Sequence, residues 1–245
     1  MNKQFKSLVT LFTLASVFVF SSVLAGETPE TATKGKKDKV SEAIVEYSME
    51  FTSDDPNVKQ QLFMMKGSSM TMAFKGQKLY SQTKVGSVQN SVTILDKDAD
   101  KMVILMSGMM GKKAAEKTDL KDEEEENEEE GDDKPDFKKT DETKEILGYE
   151  CVKYISEDES GNKSVFWVTE EIKPEVKAKN FKNQGFDGFP LEFEIIQPQM
   201  NIKFTATNLE TEISKKDEKK YFDLTIPEDY EVVTFEELQK MGGGQ

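Results

Sequence analysis

Residues 43–51 read Ala43-Ile44-Val45-Glu46-Tyr47-Ser48-Met49-Glu50-Phe51. Ala43, Val45, Tyr47, Met49 and Phe51 fall on one side of a period-two pattern, with mostly polar residues between them. Successive side chains of a strand point to opposite faces, so this alternation predicts a half-buried β-strand. The turn residues Asp54-Asp55-Pro56-Asn57 end it.

The same grammar recurs along the chain. Met70, Met72 and Phe74 alternate with Thr and Ala. Val88–Leu95 and Met102–Met106 are apolar runs joined by the polar link Asp96–Asp100, which suits a hairpin. Cys151–Ile155 and Val165–Val168 flank a polar turn containing Gly161. Leu191–Ile196 and Ile202–Ile213 follow, with Pro198 between them, and Phe222, Leu224 and Ile226 alternate before Pro227. Residues 171–188 are polar and have room for one short helix. Together this predicts about nine or ten short strands with minor helix, which means an antiparallel sheet or barrel.

The ends and one internal stretch depart from the pattern. Residues 1–25 read as a signal peptide: Lys3 and Lys6 are the basic start, Leu8–Phe20 the apolar stretch, and Val23 and Ala25 the small residues before a cut between Ala25 and Gly26. Glu27 stands where a lipoprotein box would need Cys, so the chain is not expected to be lipidated. Export to the periplasm or beyond follows, with no transmembrane segment after cleavage. Residues 26–40 read as a flexible lead. Residues 111–143 hold fifteen acids and seven lysines, with Asp122–Glu130 reading DEEEENEEE. A like-charge block repels itself and buries little, so this stretch is expected as a long disordered acidic loop. It would interrupt a single β domain over 41–234. Residues 235–245 are expected as a short helical turn and a loose tail.

Composition narrows function. The formal net charge is −14, and removing a leader with two lysines and no acid leaves −16. Such a chain repels phosphate backbones, which excludes nucleic acid as a partner and weighs against anionic membrane surfaces. There is no His and no Arg. The usual general base, the commonest metal ligand and bidentate anion clamping are therefore missing. Cys151, the single cysteine, lies among apolar neighbours as a buried inert thiol would. Asp96, Asp98 and Asp100 have the opening spacing of a calcium loop. Lys101 and Ser107, however, stand where that loop needs Gly and Glu, so a hairpin turn is the better reading. Neither phosphate-binding glycine motif occurs. No catalytic, metal or cofactor residue is expected.

The methionines are unusual. Met49, Met64, Met65, Met70, Met72, Met102, Met106, Met109 and Met110 all fall in the first half. Methionine is flexible and polarizable and suits adaptable apolar surfaces, although alternating apolar residues are more often plain core.

Three segments in order carry a family resemblance: Glu145–Tyr154 (EILGYECVKY), Phe166-Trp167-Val168-Thr169, and Phe222–Tyr230 (FDLTIPEDY). The chain resembles an uncharacterised family of exported bacterial proteins defined as domain of unknown function 4412. That family is in turn similar to LolA-like lipoprotein carriers. The match is best over 144–230. The resemblance implies an incomplete antiparallel β-barrel, or strongly curved sheet, whose apolar face holds lipid chains. Those carriers use an arginine in the ligand site, which this chain lacks.

The expected function is therefore a non-enzymatic exported binder or carrier of an apolar, lipid-like ligand. Tyr47, Met49, Phe51, Met70, Met72, Phe74, Ile104, Met106 and Trp167 are its expected lining. The alternative is an exported structural or interaction protein that uses its acidic loop for a protein partner or cations.

Overall fold

The structure, a computed structural model, describes residues 39–109, 111–120, 137–158, 161–176 and 186–241. The leader, nearly all of the lead, the centre of the acidic stretch, residues 177–185 and the last four residues lie outside it.

Twelve strands form one sheet in the order β12-β6-β5-β4-β3-β2-β1-β11-β10-β9-β8-β7, and it does not close into a barrel. In chain order they are β1 Ala43–Thr52, β2 Ser69–Lys75, β3 Lys78–Val85, β4 Gln89–Asp96, β5 Lys101–Gly108, β6 Gly111–Thr118, β7 Lys138–Ile146, β8 Tyr149–Glu157, β9 Lys163–Thr169, β10 Phe189–Ile196, β11 Asn201–Glu210 and β12 Glu231–Val232. All pairings are antiparallel except the short β12–β6 ladder. Two meanders, β1–β6 and β7–β11, are zipped together by β1 against β11. The connection from β6 to β7 therefore joins opposite sides of the sheet, β7 at one edge and β6 next to β12 at the other. It is the one link that a closed up-and-down barrel would replace by direct pairing.

The alternation read in β1 sorts its side chains as expected. Ala43, Val45, Tyr47 and Met49 enter one large core, while Ile44 enters a second cluster on the opposite face. The large core gathers Met70, Met72 and Phe74 from β2, Phe193 from β10 and Phe204 from β11. Ile172 and Val176, between β9 and β10, pack into it as well. Phe193 is its aromatic hub, with ring centroids 4.2 Å from Phe204, 5.5 Å from Phe166 and 6.0 Å from Tyr47. Each fully buried side chain of this size is worth roughly 1.5–3 kcal/mol of transfer free energy. The second cluster packs Tyr80, Val92 and Ile94 against Ile213, Tyr221 and Phe222.

The structure corrects several expectations. The loop expected over 111–143 is shorter, because its ends are β6 and β7. β6 buries only Ala114 and Ala115, and β7 buries nothing fully. Their charged sequences are what strands at a sheet edge need to avoid pairing with other chains. Val40, assigned to the lead, is stitched to the body: its N–H donates to Glu171 and its carbonyl accepts from Lys173. Residues 222–226 join no strand. Phe222 is buried in the second cluster and Leu224 packs against it.

Three helices occur among the described residues: α1 Pro56–Gln61, α2 Lys215–Tyr221 and α3 Phe235–Met241. A 3-10 turn, Leu62–Met65, follows α1. Only α3 matches an expected position. The Asp55 side chain caps α1, with Pro56 at its first turn, and the Ser214 side chain caps α2.

Candidate functional site

Strand register arranges the expected lining in three cross-strand rows. The first runs Ala43–Phe74–Leu79–Leu95–Met102, the second Val45–Met72–Ser81–Thr93–Ile104–Ala115, and the third Tyr47–Met70–Thr83–Ser91–Met106–Lys113. The first row is apolar from β1 to β5 and ends on Lys117 of β6. The other two cross a band of Ser and Thr on β3 and β4 before apolar side chains return on β5.

The nine residues thus do not form one surface. Tyr47, Met49, Met70, Met72 and Phe74 are buried in the chain's own core, with Phe74 0% exposed and Phe51 packed at its margin. Ile104 and Met106 are half-buried and lie beyond the Ser/Thr band. β3 and β4 separate them from Met72 and Met70, about 14 Å at the usual strand spacing. Trp167, on β9, is partly buried and packs at the margin of the same core, far from Ile104 and Met106 in the strand order. Phe166 beside it continues the aromatic row through Phe193 and Phe204 to Met49. The Lys144 ammonium lies 4.2 Å from the Trp167 ring centroid and that of Lys153 at 5.8 Å. Glu192 ties Lys144 and Lys203 together at 2.8 and 3.2 Å.

The segment left accessible on the large-core side is the patch formed by Ser91, Thr93, Ile104, Met106 and Lys113 on β4, β5 and β6, with Ala115 buried beneath it. It offers methylene and thioether contact, two hydroxyls and an ammonium at its rim, and Lys113 is paired with Glu231 of β12. That chemistry suits an amphipathic molecule. Sequence reasoning found Ile104 and Met106 but missed the Ser/Thr band and the Phe166–Phe193–Phe204 stack, although both alternate in the sequence.

Groups that could do chemistry are engaged in structure. Cys151 is fully buried, and desolvation pushes its thiol up to about 12, with nearby Lys144 opposing. Burial raises the Tyr47 phenol well above its ordinary value, and its hydroxyl donates to the Pro190 carbonyl at 2.8 Å. The Asp96 carboxylate accepts from the Ala99 N–H at 3.0 Å and pairs with Lys78, while Asp100 accepts from the Leu120 N–H. These aspartates shape a hairpin, as expected. Among the described residues no group of three or more His, Cys, Asp or Glu side chains could hold a metal. No helix among them is long and apolar enough to cross a membrane.

The family model for domain of unknown function DUF4412 matches residues 46–230. The chain belongs to the DUF4412 family. That span runs from β1 to the segment before β12, so the family's domain is the sheet itself. No curated protein matches the chain. Among solved structures, PNGF-II in one crystal form is 14% identical, with a TM-score of 0.46, over 82% of this chain. The chain spans about a third of PNGF-II. An uncharacterised conserved protein from Thermus thermophilus is 9% identical, with a TM-score of 0.44, over 80% of this chain and 91% of that one.

Proposed function

We propose that this DUF4412 protein is exported, non-enzymatic, and binds an apolar, lipid-like ligand on the Ile104–Met106 patch. One observation carries the reading. The apolar side chains of the core side do not stop where the core is filled; they reappear half-buried on β5, next to hydroxyls and close to β6, which the two-residue β12 covers only in part. Binding is non-covalent, with roughly 25 cal/mol per Å² of apolar surface removed from water and Met106 adapting the fit. The resemblance to LolA-like carriers agrees with an unclosed sheet. The missing arginine argues for a ligand gripped by apolar contact and not by an anion clamp. Cleavage between Ala25 and Gly26 puts the mature chain in the periplasm or medium.

The test is native mass spectrometry of the mature protein from its own compartment, with organic extraction alongside. A co-purifying apolar molecule, lost in Ile104→Asp and Met106→Asp with the fold intact, supports the reading. A clean apo mass and no uptake of added lipid overturns it.

The filled interior around Tyr47, Met70, Met72 and Phe74 favours a second reading, an exported interaction protein that uses the acidic 121–136 stretch. Replacing the acids of 121–136 by Asn and Gln removes their charge and keeps the length of the β6–β7 link. Loss of a partner or of cation binding with the fold intact would support it.

A further inference from the structure

Three turns meet at the end of the sheet where β1 finishes and β2 begins. They are the 3-10 turn Leu62–Met65, the β3–β4 turn at Gly86 and the β5–β6 turn at Gly108–Gly111. They touch backbone to backbone. A Cβ on Gly86 would sit 1.9 Å from the Met64 carbonyl oxygen, and one on Gly108 would sit 2.3 Å from that of Val88. Met109 N–H donates to the Val88 carbonyl at 3.2 Å, and Gly86 N–H donates to the Ser68 hydroxyl at 2.9 Å. Phe63, Met64 and Met109 are thus held on one scaffold, yet they are 72%, 42% and 60% exposed. Their neighbour Met65 is buried in the core at 5%.

Scattered exposed apolar residues are ordinary; three large ones on one rigid end mark a contact surface. Lysines surround them. The Lys66 ammonium lies 4.8 Å from the Phe63 ring centroid, and Lys59 and Lys84 are exposed beside the same turns. None of these three has a carboxylate partner among the described residues. The nearby acids Asp54 and Asp55 stand at the start of α1, Asp55 one turn before Lys59, and neither forms an ion pair with these lysines.

We infer that this end of the sheet docks on a bilayer surface bearing anionic headgroups. Phe63, Met64 and Met109 enter the boundary between headgroups and acyl chains, and Lys59, Lys66 and Lys84 keep their ammoniums among the phosphates. The mature chain's formal charge of −16 does not forbid this. At physiological ionic strength the Debye length is about 8 Å, so the contact feels its own lysines more than distant acids. The inference does not depend on a ligand on the Ile104–Met106 patch.

Flotation of the full mature chain with phosphatidylcholine vesicles containing some phosphatidylglycerol tests it. The protein is expected to float, and Phe63→Ser with Met109→Ser is expected to cut binding about tenfold or more while circular dichroism stays unchanged. Lys66→Gln with Lys84→Gln should weaken binding and reduce its salt dependence. Wild-type protein left at the bottom of the gradient overturns the inference, as does equal flotation of the Phe63/Met109 variant. A dimer in sedimentation equilibrium that the same variant abolishes also overturns it, since a second copy would then cover the patch. A single protein partner bound without lipid through these residues does likewise.

Discussion

β1 and β7 belong to the same sheet, at ten and nine residues, and share almost nothing else. β1 lies at the centre between β2 and β11 and sends alternate side chains into two cores. β7 is an outer strand of lysines, acids and threonines, with no strand on its far side among the described residues. A strand is made by its ladder of backbone hydrogen bonds; the alternation of its side chains reports only what its faces touch. β1 is therefore legible as a strand from sequence, whereas β7 reads as loop.

The largest expected effect breaks the sheet at its centre. Phe74 is fully buried against Phe189, with ring centroids 5.3 Å apart. Phe74→Ala is expected to lower unfolding free energy by about 3–5 kcal/mol in urea titration. Thr143→Ala on β7, exposed, should stay within about 0.5 kcal/mol. Near-equal values would mean that the two strands differ less than their burial implies.

Two turns sharpen the comparison next. Gly86, beside the core, has φ +48° and no room for a Cβ, while Gly148, in the β7–β8 turn, has φ +82° and open space. Gly86→Ala should cost at least about 2 kcal/mol, because backbone must move as well as adopt a left-handed conformation. Gly148→Ala should cost about 1 kcal/mol, from the backbone conformation alone.

The third effect is alkaline. Cys151 and Tyr80 are each pushed up to about 12 from ordinary values of 9.0 and 10.0, chiefly by desolvation, and burial raises Tyr47 as well. Unfolded chains release these protons first, so the unfolded state binds fewer protons than the native one, and stability falls as pH rises. The urea midpoint is expected to hold to about pH 9 and decline between about 9 and 12. Cys151 should resist thiol reagents at about pH 8 until the protein unfolds.

The same physics explains what the sequence told and withheld. The β4–β5 hairpin was legible because Asp96–Asp100 separates two apolar runs, and the β8–β9 hairpin because Gly161 does so. α2 was missed because it buries only Tyr221 and so carries no apolar stripe, although Ser214 with Asp217 is a capping signal. Phe222, Leu224 and Ile226 alternate without a ladder, which pattern alone does not reveal. At the site, Met70 and Met106 obey one rule of alternation and share one row, yet one is core and the other half-buried. The difference comes from Ile172, Val176 and the aromatics of β10 and β11, distant in sequence from β2.

The smallest expected effect on stability tests what β7 is for. Glu142 pairs with Lys153 at 2.8 Å, but with 59% of its side chain exposed the pair is worth little. Glu145 stands directly opposite Glu150, a like-charge pair that does not favour the ladder. Replacing both acids, Glu142→Val with Glu145→Val, should therefore leave the urea midpoint nearly unchanged. Valine prefers pleated backbone and carries no charge, so the variant presents a flat apolar edge to other chains. Sedimentation velocity is expected to show association beyond that of the native chain, reversed by restoring Glu142 alone. If the variant stays monomeric, the charges of β7 do not guard the edge. If it becomes much less stable, β7 contributes to the fold through its side chains after all, and the contrast with β1 is one of degree.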